Sequence, residues 1–178
     1  MATEWKPESE SPLSKTVLVV DDEKNIRRTL QLVLEGDGYK VIGAETAEKA
    51  LELLANPEIP VDLALFDVKL PQMSGLDALT KIRKDEALKD MPIIVISGHA
   101  TVNDAVTAIK LGASDFFEKP LSRERVLVSV RNVLEAANTR RALAEASRKD
   151  LERYEMIGEG PAMQRIFGEI EKVAPTRA

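Results

Sequence analysis

The chain has 178 residues and an apolar fraction of 44%, enough for one ordinary domain with something added, which excludes a globally disordered chain. Its net charge of −5 comes from acidic and basic residues mixed along the chain, so there is no basic stripe and direct contact with DNA is not expected. The absence of cysteine removes disulfides, thiolate zinc sites and cysteine nucleophiles, and no apolar run approaches the roughly 20 residues that span a bilayer, so a cytoplasmic protein without membrane attachment is expected.

Residues 1–15 are polar, contain Trp5, Pro7 and Pro12, lack the apolar stretch of a signal peptide and read as a flexible tail. From Thr16 to Val20 the chain is β-rich and apolar throughout, the pattern of a strand buried on both faces, and it stops at Asp21 and Asp22. Ile26, Leu30, Val33 and Leu34 recur at helical spacing between Glu23 and Glu35, with Gly36 and Gly38 as stop signals. A short strand is expected over Tyr39 to Gly43. The next helix is capped by Thr46, with Lys49 three positions on, and runs to about Ala55.

The same alternation continues. Val61 to Phe66 reads as a strand ending at Asp67, Gly75 to about Glu86 as a helix, and Pro92 to Ile96 as a strand ending at Ser97. Thr101 to Leu111 reads as a helix stopped by Gly112, followed by a strand near Asp115 to Glu118 and a long helix opened by Ser122. Five strands alternating with five helices predict an α/β fold, a doubly wound parallel sheet with right-handed crossovers.

The last helix carries a sparse apolar stripe of Val126, Val130, Val133, Ala137 and Ala144. That stripe admits two readings, pairing with a second copy of the chain or a solvated helix held by its first half. Met156 to Pro161 reads as a loop and Met163 to Val173 as an amphipathic helix, which suggests the beginning of another domain.

Ligands of open α/β sheets bind at the carboxyl ends of the strands where the strand order reverses. Asp21, Asp22 and Asp67 all sit at such ends, and in the flavodoxin-like order 2-1-3-4-5 the first and third strands are neighbours. Carboxylates brought that close repel one another, and a hard divalent cation such as Mg²⁺ relieves the repulsion. Ser97 and Lys119 end the other two core strands. Three acids, a hydroxyl and an ammonium on one sheet edge suit phosphoryl transfer, with Asp67 as nucleophile and Asp21 and Asp22 holding metal. An ionised carboxylate needs no general base.

Val20-Asp21-Asp22-Glu23, the stretch from Asp67 through Val68, Lys69, Leu70, Pro71, Gln72, Met73 and Ser74 to Gly75, Ser97-Gly98-His99-Ala100 and Lys119-Pro120 resemble, in this order, the signatures of two-component response regulator receiver domains. The resemblance covers roughly Lys15 to Ala136. It implies that Asp67 is the phosphoacceptor for a sensor histidine kinase and that Asp21 or Asp22, chiefly Asp22, is a metal carboxylate beside it. It further implies that the main-chain carbonyl of Lys69 is a third protein ligand for Mg²⁺, that Ser97 is a switch hydroxyl, and that Lys119 pairs with the phosphoryl group. The bond to Pro120 is often cis in the family. Phe116 matches the family's aromatic switch position, with packing but no phenolic hydroxyl.

Ser97 to Ala100, with the segment from Ile157 to Gln164, resemble the NtrC group of σ54-dependent activators, built as receiver, linker helix, AAA+ ATPase and DNA-binding domain. Gly160 stands where that group usually has Ser. The resemblance implies a receiver over 16–136, a helical linker and possible dimerisation coiled coil over 137–155, and the truncated start of an AAA+ domain over 156–178, with that ATPase a partner within the full-length protein. No G-x-x-x-x-G-K-[ST] occurs, so ATP hydrolysis is not expected of the chain, only self-phosphorylation and slow self-hydrolysis.

Single residues leave alternatives. His99, the only histidine, reads as a rim residue or as one that tunes dephosphorylation. The Lys69 side chain either projects over the site or is solvated, and Glu23 either holds a metal-bound water or is a first-turn helix charge. Two other classes compete on the fold alone. An FMN-binding module would need phosphate-cradling Ser, Thr and Gly loops where this chain has acids, and an Asp-nucleophile phosphatase would need a second acid where Lys69 stands.

Overall fold

A computed structural model describes residues 15–98 and 102–158, with side chains at 15–98 and 103–149. The elements follow in the order β1 (Thr16–Val20), α1 (Lys24–Glu35), β2 (Lys40–Ala44), α2 (Ala47–Ala55), β3 (Leu63–Asp67), α3 (Gly75–Lys84), β4 (Ile93–Ser97), α4 (Val102–Lys110), β5 (Asp115–Glu118) and α5 (Arg123–Gly158). The strands are parallel and ordered β2-β1-β3-β4-β5, as expected. The chain divides into two compact units, residues 1–137 and 138–178.

Alternation along each strand splits the core of the first unit in two. Leu18, Val20, Ala64, Phe66, Ile93 and Val95 face α2, α3 and α4, burying Ala50, Leu54, Leu79, Ile82 and Ala108. Val17, Val19, Leu63, Leu65, Ile94 and Ile96 face the other way, onto Leu30 and Leu34 of α1 and Val126, Val130 and Val133 of α5. Because α1 and α3 leave adjacent strands for opposite faces, a crevice opens at the carboxyl ends of β1 and β3.

Local chemistry explains the boundaries. Thr46 Oγ1 accepts from the Lys49 N–H at 3.2 Å, and Ser74 Oγ accepts from the Asp77 N–H at 3.1 Å. Gly38, at φ 92°, closes α1: its N–H donates to the Glu35 carbonyl and that of Tyr39 to the Leu34 carbonyl. Tyr39 therefore belongs to the helix end, and β2 starts one residue later than the sequence suggests. Strand β3 starts two residues late because Asp62 is engaged otherwise, its carboxylate accepting from the Thr16 N–H at 2.9 Å and from Lys15 at 2.9 Å.

Helix α5 also departs from expectation. It continues through Met156 and Ile157 to Gly158, the last described residue, where a loop was expected. From 138 to 149 every side chain is exposed, Leu143 at 63%. The helix expected over Met163 to Val173 lies outside the described residues, as do the tail with Trp5, His99 and the expected first residue of α4, Thr101. Among the described residues, no helix is long and apolar enough to cross a membrane.

Candidate metal centre

Four strand ends bring the site together. Asp67 is the last residue of β3, and Asp21 directly follows β1. Ser97 ends β4, and Lys119 directly follows β5, joined to Pro120 by a cis peptide bond. The strands hold their neighbours in step: Asp67 is in register with Ile96, the Val68 N–H donates to the Ile96 carbonyl at 2.8 Å, and the Lys119 N–H to the Ser97 carbonyl at 2.8 Å.

Asp21, Asp22 and Asp67 each offer a carboxylate oxygen, and the three atoms lie within 4.8 Å of one another. Asp21 and Asp67 are buried and Asp22 is exposed. The Lys119 ammonium stands among them, 2.8 Å from Asp21 Oδ2 and 3.3 Å from Asp67 Oδ2, with Glu23 Oε1 at 3.6 Å. The other Asp21 oxygen accepts from the Glu23 N–H at 2.9 Å. The other Asp67 oxygen, Oδ1, is buried and takes no hydrogen bond from the described residues.

Burial pushes the Asp67 carboxyl above the usual carboxylate range; the Lys119 charge works against this and the Asp21 charge with it. For Lys119 the balance is reversed. Burial pulls its ammonium down, but the hydrogen bond and charge of Asp21, with the charge of Asp67, outweigh it and hold it above the ordinary lysine value. Three acids to one ammonium leave a net negative pocket with an unsatisfied buried oxygen. A hard divalent cation fits this donor set: all-oxygen, anionic, and open on the side of exposed Asp22.

The remaining expected residues fall around this core. Ser97 is buried at the end of β4. Phe116 is half-buried on β5 and packs against the core on the α4 side, in register with Val95. Lys69 is exposed in the loop after β3.

Two contributors escape the sequence reading. Gly75 opens α3 directly against β3: a Cβ there would stand 2.1 Å from the Asp67 carbonyl oxygen, so only glycine lets the helix start so close. A glycine at the first position of a helix rather than past its end was the available signal. The other is Arg27, which donates to the main chain of Asp21 and Asp22; nothing in its spacing marked it.

The family profile of the response regulator receiver domain matches residues 17–131. A putative response regulator, NtrX-like, of Rickettsia bellii is 34% identical over 160 residues, covering 89% of this chain and 33% of that protein. The transcriptional regulatory protein ZraR of Escherichia coli is 35% identical over 163 residues, 91% of this chain and 35% of that one. The crystal structure of NtrX from Brucella abortus superposes with a TM-score of 0.68 at 31% identity, over 90% of this chain and 35% of that chain. The chain thus spans about a third of the length of the curated relatives it matches.

Proposed function

The chain belongs to the response regulator receiver domain family, and from that premise we propose that Asp67 is its phosphoacceptor, charged by a sensor histidine kinase in a Mg²⁺-dependent reaction. The observation that carries this reading is the convergence of Asp21, Asp22 and Asp67 within 4.8 Å around one ammonium.

Asp67 attacks as a carboxylate: an oxygen–phosphorus bond forms, the phosphorus–nitrogen bond of a phosphohistidine breaks, and the leaving nitrogen takes the electron pair and a proton from water. Lys119 already contacts Asp67 and is placed to pair with the incoming phosphoryl oxygens. Asp21, Asp22 and Asp67, with the Lys69 carbonyl, would hold Mg²⁺. When bound, the cation neutralises phosphoryl oxygens and orients them for in-line attack. Water later hydrolyses the acyl phosphate slowly, which makes this a timed mark rather than turnover of a free substrate.

The modification adds charge and strong acceptor oxygens at the end of β3. The Ser97 hydroxyl turns to donate to them, and half-buried Phe116 moves into the space vacated. The surface of α4 and β5 follows, with a coupling of about 1–3 kcal/mol.

In the longer protein we place residues 16–136 as receiver, 137–155 as linker and 156–178 as the start of an AAA+ domain. The reading extends to regulation of a cytoplasmic σ54-dependent transcription activator, with pairing of two chains through α5. Resemblance to the NtrC group supports it, as does likeness to a named transcriptional regulator. Intact mass after exposure to acetyl phosphate and Mg²⁺ tests the core of the proposal. One added phosphoryl group on the wild type and none on Asp67→Asn is expected; equal uptake by both refutes it.

A further inference from the structure

Asp21 and Asp22 are consecutive, and consecutive side chains of a strand leave opposite faces. Their carboxylates nevertheless converge with that of Asp67. The backbone must therefore abandon strand geometry at this point, and β1 does end at Val20. The Asp22 side chain is exposed and takes no hydrogen bond from the described residues, so its direction is set through its main chain.

That main chain is gripped from α1. Arg27 Nη1 donates to the Asp21 carbonyl at 2.6 Å and to the Asp22 carbonyl at 3.0 Å. Successive strand carbonyls point in opposite directions, whereas two that meet one nitrogen fix a turn. The Arg27 side chain is only 20% exposed, and its stem passes exposed Gly43 on the edge strand, where an added Cβ would just touch its Cδ at 3.9 Å. Its other terminal nitrogen lies 3.9 Å from the Glu45 carboxylate, at the limit of an ion pair.

We propose that Arg27 is a positioning residue for the metal site: by clamping two consecutive carbonyls it holds Asp21 and Asp22 in the turn that sends both carboxylates to Asp67. The inference rests on reading the acid trio as a Mg²⁺ site. It makes a prediction opposite in sign to simple electrostatics. A guanidinium near a cation site repels the cation, so removing its charge alone tightens Mg²⁺ binding; removing the clamp loosens it.

Calorimetric titration of the full chain with Mg²⁺ separates these effects. Arg27→Met is expected to weaken binding about tenfold, within the range for loss of a group that orients a metal ligand. Arg27→Lys keeps the charge and one donor group and is expected to weaken binding several-fold less, while Glu45→Gln binds as wild type does. Unfolding midpoints in EDTA identify the folded fraction. Arg27→Met binding that is unchanged, tighter, or reduced only in proportion to unfolded protein overturns the inference, as does Glu45→Gln weakening binding equally. Should Arg27→Met not fold, Arg27→Gln, which stays polar but is too short to reach both carbonyls, decides: wild-type affinity refutes the clamp. A wild type that takes up no Mg²⁺ refutes the metal reading, and this inference with it.

Discussion

The Lys119 ammonium donates to Asp67 Oδ2 at 3.3 Å although 52 positions separate the two residues in the chain. The same ammonium reaches Asp21 at 2.8 Å, so one cation from the β5 end neutralises acids from two other strands. Removing it leaves two buried carboxylates facing each other, and loss of one partner of a buried ion pair typically costs about 3–5 kcal/mol. Lys119→Met is therefore expected to destabilise the protein by about 3 kcal/mol in EDTA at neutral pH, by analogy with such losses. Chemical denaturation checks this. The deficit should shrink on adding Mg²⁺ and at acidic pH, where Asp67 becomes neutral.

The raised pKa of Asp67 gives a pH signature. The folded protein holds this proton to higher pH than the unfolded chain does, so the group favours folding below the ordinary Asp value. That advantage is lost as pH climbs through the elevated folded value. At neutral pH, without a cation, Asp67→Asn is expected to be the more stable protein by about 1 kcal/mol, since it removes a charge that burial and Asp21 both disfavour while Lys119 keeps its closer partner, Asp21. Its stability should also vary less across the acidic range. Thermal unfolding in EDTA from acid to neutral pH reads both, and Mg²⁺ should raise the wild-type midpoint more than that of the variant.

Gly75→Ala sets two effects against each other. Alanine is better than glycine in a helix by about 1 kcal/mol, less at the first turn. The added Cβ, however, meets the Asp67 carbonyl oxygen at 2.1 Å, a backbone atom that cannot step aside without moving β3. The clash wins. Net destabilisation of about 2 kcal/mol or more is expected, together with slower phosphorylation, because the residue displaced carries the acceptor. Denaturation and phosphorylation rate measured on the same variant check both.

Residues 138–149 bury no side chain, and Leu143 is the large apolar residue most exposed there. Under the proposed pairing through α5, Leu143→Glu shifts sedimentation equilibrium of the full chain toward monomer. No shift would favour a solvated helix held only by its first half.

The sheet was legible because fully buried strands read as apolar runs: β1, β3 and β4 are buried at every position, and a polar residue either ends the strand, as Asp67 and Ser97 do, or directly follows it, as Asp21 does. From those ends the positions of Asp21, Asp67 and Ser97 followed, whereas the strand order came from the flavodoxin-like fold class and is the one observed. Boundaries were less legible where tertiary bonds decide them. Tyr39 was taken by the end of α1 and Asp62 by Lys15 and Thr16, neither of which periodicity expresses. The backbone side of the site was the least legible. Arg27 reads as one more charge on an amphipathic helix, and Gly75 as a helix start, until their distances to Asp21 and Asp67 are known.

The central claim is that Asp67 itself accepts the phosphoryl group. Borohydride reduces an aspartyl phosphate to homoserine, so reduction after exposure to acetyl phosphate and Mg²⁺, followed by peptide mapping, locates the modified residue. Homoserine at position 67, absent when Mg²⁺ is withheld, is the expected result. Homoserine at position 21 or 22, or phosphate retained on a hydroxyl with Asp67 intact, would contradict the account.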